Sequence, residues 1–107
     1  MSQVTADTAL KETIQRIART AHPKKIFLFG SAARGEMGPN SDLDLLVIVA
    51  DGQHRRKTAQ EIYRSLIGVG FASDIVVVTE SDVEAYRENP GTVISSALRE
   101  GRSVYVA

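Results

Sequence analysis

"LFGSAARGEMGPNSDLDLLVIV", Leu28 to Val49, decides how this chain folds. It holds the end of one apolar run, a Gly30-Ser31 pair, a polar loop and a second apolar run. The second run, "DLDLLVIV", opens with Asp42 and Asp44. Beyond Asp44 it is apolar at odd and even positions alike, the pattern of a strand covered on both faces. Strand interiors disfavour aspartate. Side chains two apart on a strand share a face, so both carboxylates leave together, from alpha carbons about 6–7 Å apart.

Two converging carboxylates repel, and a buried one without a partner tends to take up a proton. A divalent cation removes both problems. Magnesium prefers oxygen ligands and typically takes one or two carboxylates plus substrate phosphates. Two such ions about 3.5–4 Å apart would clamp the attacking and leaving oxygens of a phosphoryl transfer. Asp74 opens a later apolar strand, "SDIVVVT", as Asp42 opens this one. If the two strands are neighbours, Asp74 sits beside Asp44, where it would ligate a second ion and take the proton from an attacking hydroxyl. Each residue also has a plainer reading. Asp42 after Ser41 suits a turn, Asp44 suits a pair with a basic side chain, and a serine-aspartate step before a strand is ordinary loop chemistry.

The glycine-serine pair supplies the other half of a site. A strand that ends at Gly30-Ser31 and turns into "AAR" exposes backbone N–H groups at a helix start, where phosphate oxygens bind well. Glycine lets the backbone approach closely. Ser31 adds a hydroxyl, and Arg34 adds a fork for phosphate or for a structural carboxylate. Gly30 and Gly35 have P-loop spacing, but Glu36 and Met37 follow where lysine and serine or threonine are required. The loop between the two runs is short, which favours an antiparallel pair and brings both features to one edge of the sheet.

Outward from this segment the chain alternates helix and strand. Leu10, Ile14, Ile17, Ala18 and Ala21 give a first helix one apolar face, with Asp7 or Thr8 as cap and Pro23 as its end. "KKIFLF", Lys24 to Phe29, reads as a strand, and "EMGPNS" as a solvated loop with Gly38, Pro39 and Asn40 turning it. A helix from about His54 to Gly68 carries Ala59, Ile62, Tyr63, Leu66 and Ile67 on its stripe; its basic start, His54 to Lys57, reads as solvated. Ser81 and Glu84 suggest a capping box after the strand at Ser73 to Thr79. Val93 to Leu98 suggests a last helix, and "SVYV" an edge strand. The expected fold is α/β (α+β), one domain over residues 1–107, with a mixed sheet flanked by helices.

Composition excludes several function classes. Thirteen basic residues balance thirteen acidic ones, and aromatics are few, so long nucleic acid is not the expected ligand. No apolar run approaches the roughly 20 residues that span a bilayer. The N-terminus lacks an apolar signal core and the chain has no cysteine, which fits a cytoplasmic protein.

The whole segment "GSAARGEMGPNSDLDLLV", Gly30 to Val47, resembles the signature of the DNA polymerase β-like nucleotidyltransferases: Gly-Ser, a nearby Arg-Gly, a short loop, then Ser-Asp-x-Asp-Leu. The length resembles the minimal nucleotidyltransferase branch, which includes antitoxins. The resemblance implies that Gly30 and Ser31 hold the β- and γ-phosphates, that Asp42 and Asp44 ligate Mg²⁺, and that Asp74 is the third carboxylate. Arg34 matches the signature arginine, touching nucleotide or bracing the loop. The implied chemistry is attack by an acceptor hydroxyl on the α-phosphorus of a nucleoside triphosphate, ATP by family habit, with two Mg²⁺ ions. The implied partner is a small helical HEPN-type toxin modified on a tyrosine. A noncatalytic module that neutralises its partner by contact is the alternative, with transfer to an RNA end or a small alcohol as a third.

Overall fold

The computed structural model describes residues 6–36 and 42–107. Its elements run α1 (Ala6–Ala21), β1 (Lys25–Phe29), β2 (Leu43–Val49), α2 (Arg55–Ser65), β3 (Ser73–Thr79), α3 (Glu80–Tyr86), α4 (Val93–Glu100) and β4 (Arg102–Val106). The expected turn at Gly38, Pro39 and Asn40 lies outside the described residues. No described helix is long and apolar enough to cross a membrane.

The strands form one sheet in the order β3-β2-β1-β4. β1 pairs antiparallel with β2 and with β4, while β2 and β3 run parallel through the α2 crossover. The sheet is therefore mixed, as the short loop after β1 and the longer helical connection after β2 require.

β2 is central, and every residue in it is buried except Asp44. Its odd positions, Leu43, Leu45, Val47 and Val49, face α1 and α2 through Ile17 and Ile62. Its even positions, Leu46 and Ile48, face α3 and α4 through Val83, Ile94 and Ala97. Burying one such aliphatic side chain is worth about 1.5–3 kcal/mol, so this strand anchors both cores. A carboxylate on it stands against that trend.

Three local features differ from the sequence reading. α1 begins at Ala6, so Asp7 lies in its first turn rather than capping it. Its end is as expected: His22 adopts a left-handed conformation (φ 47) and Pro23 follows, fully buried. α2 stops at Ser65, because Arg16 of α1 donates to the carbonyls of Ser65 and Ile67 and Gly68 (φ 91) turns the chain away. Ile67 is left 75% exposed instead of joining the stripe. The basic start of α2 is solvated as expected, and His54 itself caps the helix by accepting the Lys57 N–H at Nδ1.

The third difference is the capping box of α3. It is built by Thr79 and Asp82, two residues earlier than Ser81 and Glu84. The Asp82 N–H donates to Thr79 Oγ1 at 3.2 Å, and the Thr79 N–H donates back to Asp82 Oδ2 at 2.9 Å. These bonds, with Arg55 at 2.7 Å, hold the Asp82 carboxyl below its usual range. Ser81 instead donates to Asp51, closing the loop after β2. Thr79→Ala removes one side of the box and should lower stability by about 1 kcal/mol. A thermal melt should read this as a fall of roughly 4 °C.

Candidate active site

The backbone brings the three aspartates to one place. In the parallel register Asp44 is paired with Asp74, and the next pairs run Leu45 with Ile75 and Leu46 with Val76. Paired residues of neighbouring strands point to the same face, so Asp44 and Asp74 stand side by side. Asp42, two residues before Asp44 and exposed, precedes β2 at the same edge. The sheet face they share is the one that carries Leu46 and Val76 further along, under α3 and α4.

The end of β1 arrives at the same edge from the other side. Phe29 pairs with Asp44, and the chain then turns at Gly30, whose φ of 73 is left-handed. A Cβ on Gly30 would overlap Oδ2 of Asp44 and lie 3.1 Å from its Cγ. The glycine backbone thus lies directly against the carboxylate, an approach that any side chain would block.

Residues 31–35 form a tight helical turn, as the loop reading allowed. The Arg34 N–H donates to Ser31 O at 3.1 Å, Gly35 N–H to Ala32 O at 3.2 Å, and Glu36 N–H to Ser31 O at 2.9 Å. Among the described residues no bond satisfies the N–H groups of Ser31, Ala32 and Ala33. Free donors at the start of a helical turn suit an anion. Arg34 is exposed, and its Nε donates to Glu36 at 2.8 Å.

None of the ion pairs among the described residues involves Asp42, Asp44 or Asp74. The consequence is visible at Asp44. Its carboxyl is pushed above the usual range by burial, then by the charges of Asp74 and Asp42, with Arg34 only partly offsetting them. The reading of Asp44 as half of a conventional salt bridge is therefore not what the structure shows.

These residues suit a divalent cation. The donors are all carboxylate oxygens, the charge is uncompensated, and the site opens on free N–H donors suited to phosphate. Among the described residues no three His, Cys, Asp or Glu side chains form a ready-made metal cage. Magnesium does not need one, because it typically keeps waters and takes substrate phosphates beside one or two carboxylates.

A concavity of about 740 Å³ lies at the other end of the parallel strands, lined by Asp51, His54, Arg56 and Ser81. There Arg55 is paired with Asp82, and the Asp51 carboxylate accepts hydrogen bonds from the N–H and hydroxyl of Ser81. The open volume and the cluster of like charges therefore fall at opposite ends of β2 and β3, and it is the like-charged cluster that suits a cation.

One residue beside the carboxylates escaped the sequence reading. Helical spacing puts Tyr63 on the α2 core stripe, yet it is 45% exposed. Its hydroxyl oxygen accepts the Ile75 N–H at 2.9 Å and lies 3.5 Å from Asp74 Oδ1. The available signal was chemical: of the residues on that stripe, Tyr63 alone has a polar end.

Comparison with known proteins identifies the family and the fold. The family model described as polymerase beta, nucleotidyltransferase matches residues 12–107. No curated protein matches the chain. Among solved structures the chain is similar to a mutant of the toxin–antitoxin pair MntA–HpeT with two aspartates changed to glutamate (23% identity, TM-score 0.57, covering 92% of this chain and 73% of that one). It is similar to a toxin–antitoxin structure with AMP-PNP (24% identity, TM-score 0.54, 91% and 73% covered). It is also similar to a candidate nucleotidyltransferase of Sulfolobus solfataricus (14% identity, TM-score 0.52, 98% and 93% covered). At these identities the solved structures speak for the fold, and the family model covers nearly the whole chain: the protein belongs to the polymerase β nucleotidyltransferase family.

Proposed function

We propose that this protein is a Mg²⁺-dependent nucleotidyltransferase that moves AMP from ATP to a tyrosine hydroxyl of a small helical HEPN-type toxin, and so acts as an antitoxin. One observation carries the catalytic part: Asp44 and Asp74 are in register, and the Asp44 carboxylate lies against the Gly30 backbone. Carboxylates and phosphate cradle then serve a single ligand, a nucleoside triphosphate with its metal. Two of the similar solved structures are toxin–antitoxin structures, one with AMP-PNP, an ATP analogue, which supports the donor and the class of partner. In the other, two aspartates one residue apart had been exchanged, the spacing of Asp42 and Asp44.

The residues divide the work as follows. The N–H groups of Ser31, Ala32 and Ala33, unbonded among the described residues, hold the β- and γ-phosphates with the Ser31 hydroxyl. Arg34 exchanges Glu36 for a phosphate oxygen, trading one charge-assisted bond for another. Asp42, Asp44 and Asp74 would hold Mg²⁺, which would neutralise the charge of the triphosphate when bound. Asp74 takes the proton of the acceptor hydroxyl as that oxygen bonds to the α-phosphorus. The bond from the α-phosphorus to the bridging oxygen breaks, and pyrophosphate leaves with the electron pair.

The test is to incubate the protein with α-labelled ATP, Mg²⁺ and a HEPN-type toxin that it neutralises. Label on a toxin tyrosine, lost in Asp42→Asn, is the expected result. Toxin neutralised equally well by Asp42→Asn, with no label in either reaction, would replace this reading with inhibition by contact.

A further inference from the structure

Tyr63 belongs to α2, and its hydroxyl lies beside the carboxylates. The hydroxyl oxygen accepts the Ile75 N–H at 2.9 Å. That bond occupies a lone pair and fixes the oxygen, which leaves the single phenolic hydrogen to find an acceptor. Asp74 Oδ1, 3.5 Å away, is the acceptor within reach. The separation is long for an O–H···O bond, so the contact directs the carboxylate more than it binds it.

The topology explains why such a device is needed. β3 is an edge strand, with β2 on one side only. An edge strand presents unpaired N–H groups and is held less firmly than a central one. Tyr63 accepts one of those N–H groups, from the residue immediately after Asp74. One phenol oxygen thus ties down the backbone that carries the third carboxylate and faces the carboxylate itself. A tyrosine suits this task, because its ring is rigid and only two torsions need to be fixed.

We propose that Tyr63 is the positioning residue for Asp74: it fixes the third carboxylate and the backbone that carries it at the edge of the nucleotide site. The proposal rests on the reading of Asp74 as a functional carboxylate. Groups that orient metal-ligating or proton-accepting carboxylates from behind are commonly worth about 10–100-fold in affinity or activity. The competing reading is that Tyr63 only seals the edge of the sheet. Sealing would change the melting temperature but would make no difference that depends on Asp74.

Tyr63→Phe keeps the ring and removes both contacts. Two readouts are needed: Mn²⁺ affinity in the presence of a non-hydrolysable ATP analogue, by electron paramagnetic resonance, and steady-state transfer. The expected result is Mn²⁺ binding weakened about tenfold and kcat lowered about 10–100-fold, with the KM for nucleotide unchanged. Added to Asp74→Asn, the same substitution should cause no further loss. Any general loosening of the fold would appear in both backgrounds, so the cycle removes it. Unchanged Mn²⁺ affinity and kcat in Tyr63→Phe would overturn the proposal, as would an equal loss in the Asp74→Asn background. Nucleotide label on Tyr63 itself would also overturn it, since it would make Tyr63 an acceptor. Mn²⁺ binding that depends on Tyr63 in a wild-type protein that transfers nothing would sink the transferase reading and leave the positioning role standing.

Discussion

Asp44→Asn should abolish nucleotidyl transfer while making the metal-free protein more stable. The two effects have one cause. Asp44 is the single residue of β2 that is not buried, and its carboxyl is pushed up by burial and by Asp74 and Asp42. A group whose pKa is raised on folding binds its proton more tightly in the native state. Stability therefore falls as pH rises from the ordinary carboxylate range, near ~4, through the raised value. Above that value the penalty is complete and constant. Asparagine carries no charge and escapes it. In metal-free buffer the variant should melt higher than wild type at neutral pH, and the gap should close in acid. Adding Mg²⁺ should raise the melting temperature of wild type and leave the variant unmoved. The metal's charge stabilisation is worth several kcal/mol, so its loss should lower the transfer rate by about 10²–10³-fold or more. A variant that is less stable than wild type at neutral pH without metal would show that Asp44 is a structural partner after all.

Gly30→Ala should damage the fold and the site together. The left-handed φ of 73 costs a residue with a Cβ about 1–2 kcal/mol. The Cβ would also overlap the Asp44 carboxylate, and overpacking of this kind typically costs about 1–3 kcal/mol. Together these predict a fall in melting temperature on the order of 10 °C. The carboxylate must move to make room, and displacement of a catalytic group by ~1 Å can cost about 10²-fold in rate. Gly35→Ala is the matched control. Gly35 has a nearly identical φ of 72, but a Cβ there meets nothing within 4 Å. It should lose only the backbone part of the stability and should keep most of its activity. Equal effects at the two glycines would mean that the contact between Gly30 and Asp44 is unimportant.

Much of this site was legible because its parts lie close together in sequence. The Gly30-Ser31 pair, the short loop and the Asp42–Asp44 spacing already implied an antiparallel β1–β2 pair with both features at one edge. Asp74 was legible only conditionally. Its place beside Asp44 depends on the parallel pairing of β2 and β3, a contact made across the whole of α2. The errors came where spacing alone leaves two solutions. Thr79 with Asp82 and Ser81 with Glu84 both read as capping boxes, and the choice turned on Ser81 being drawn to Asp51. Helical periodicity put Tyr63 and Ile67 on a buried stripe. An arginine from α1 ended α2 early, and no local pattern encodes that contact.

The most direct test is a crystal structure with Mn²⁺ and a non-hydrolysable ATP analogue, with the metal located by its anomalous scattering. The expected structure has the metal signal between Asp42, Asp44 and Asp74, and the triphosphate tail on the N–H groups that follow Gly30. Nucleotide bound in the concavity beside Arg56, with no metal at the aspartates, would contradict the account.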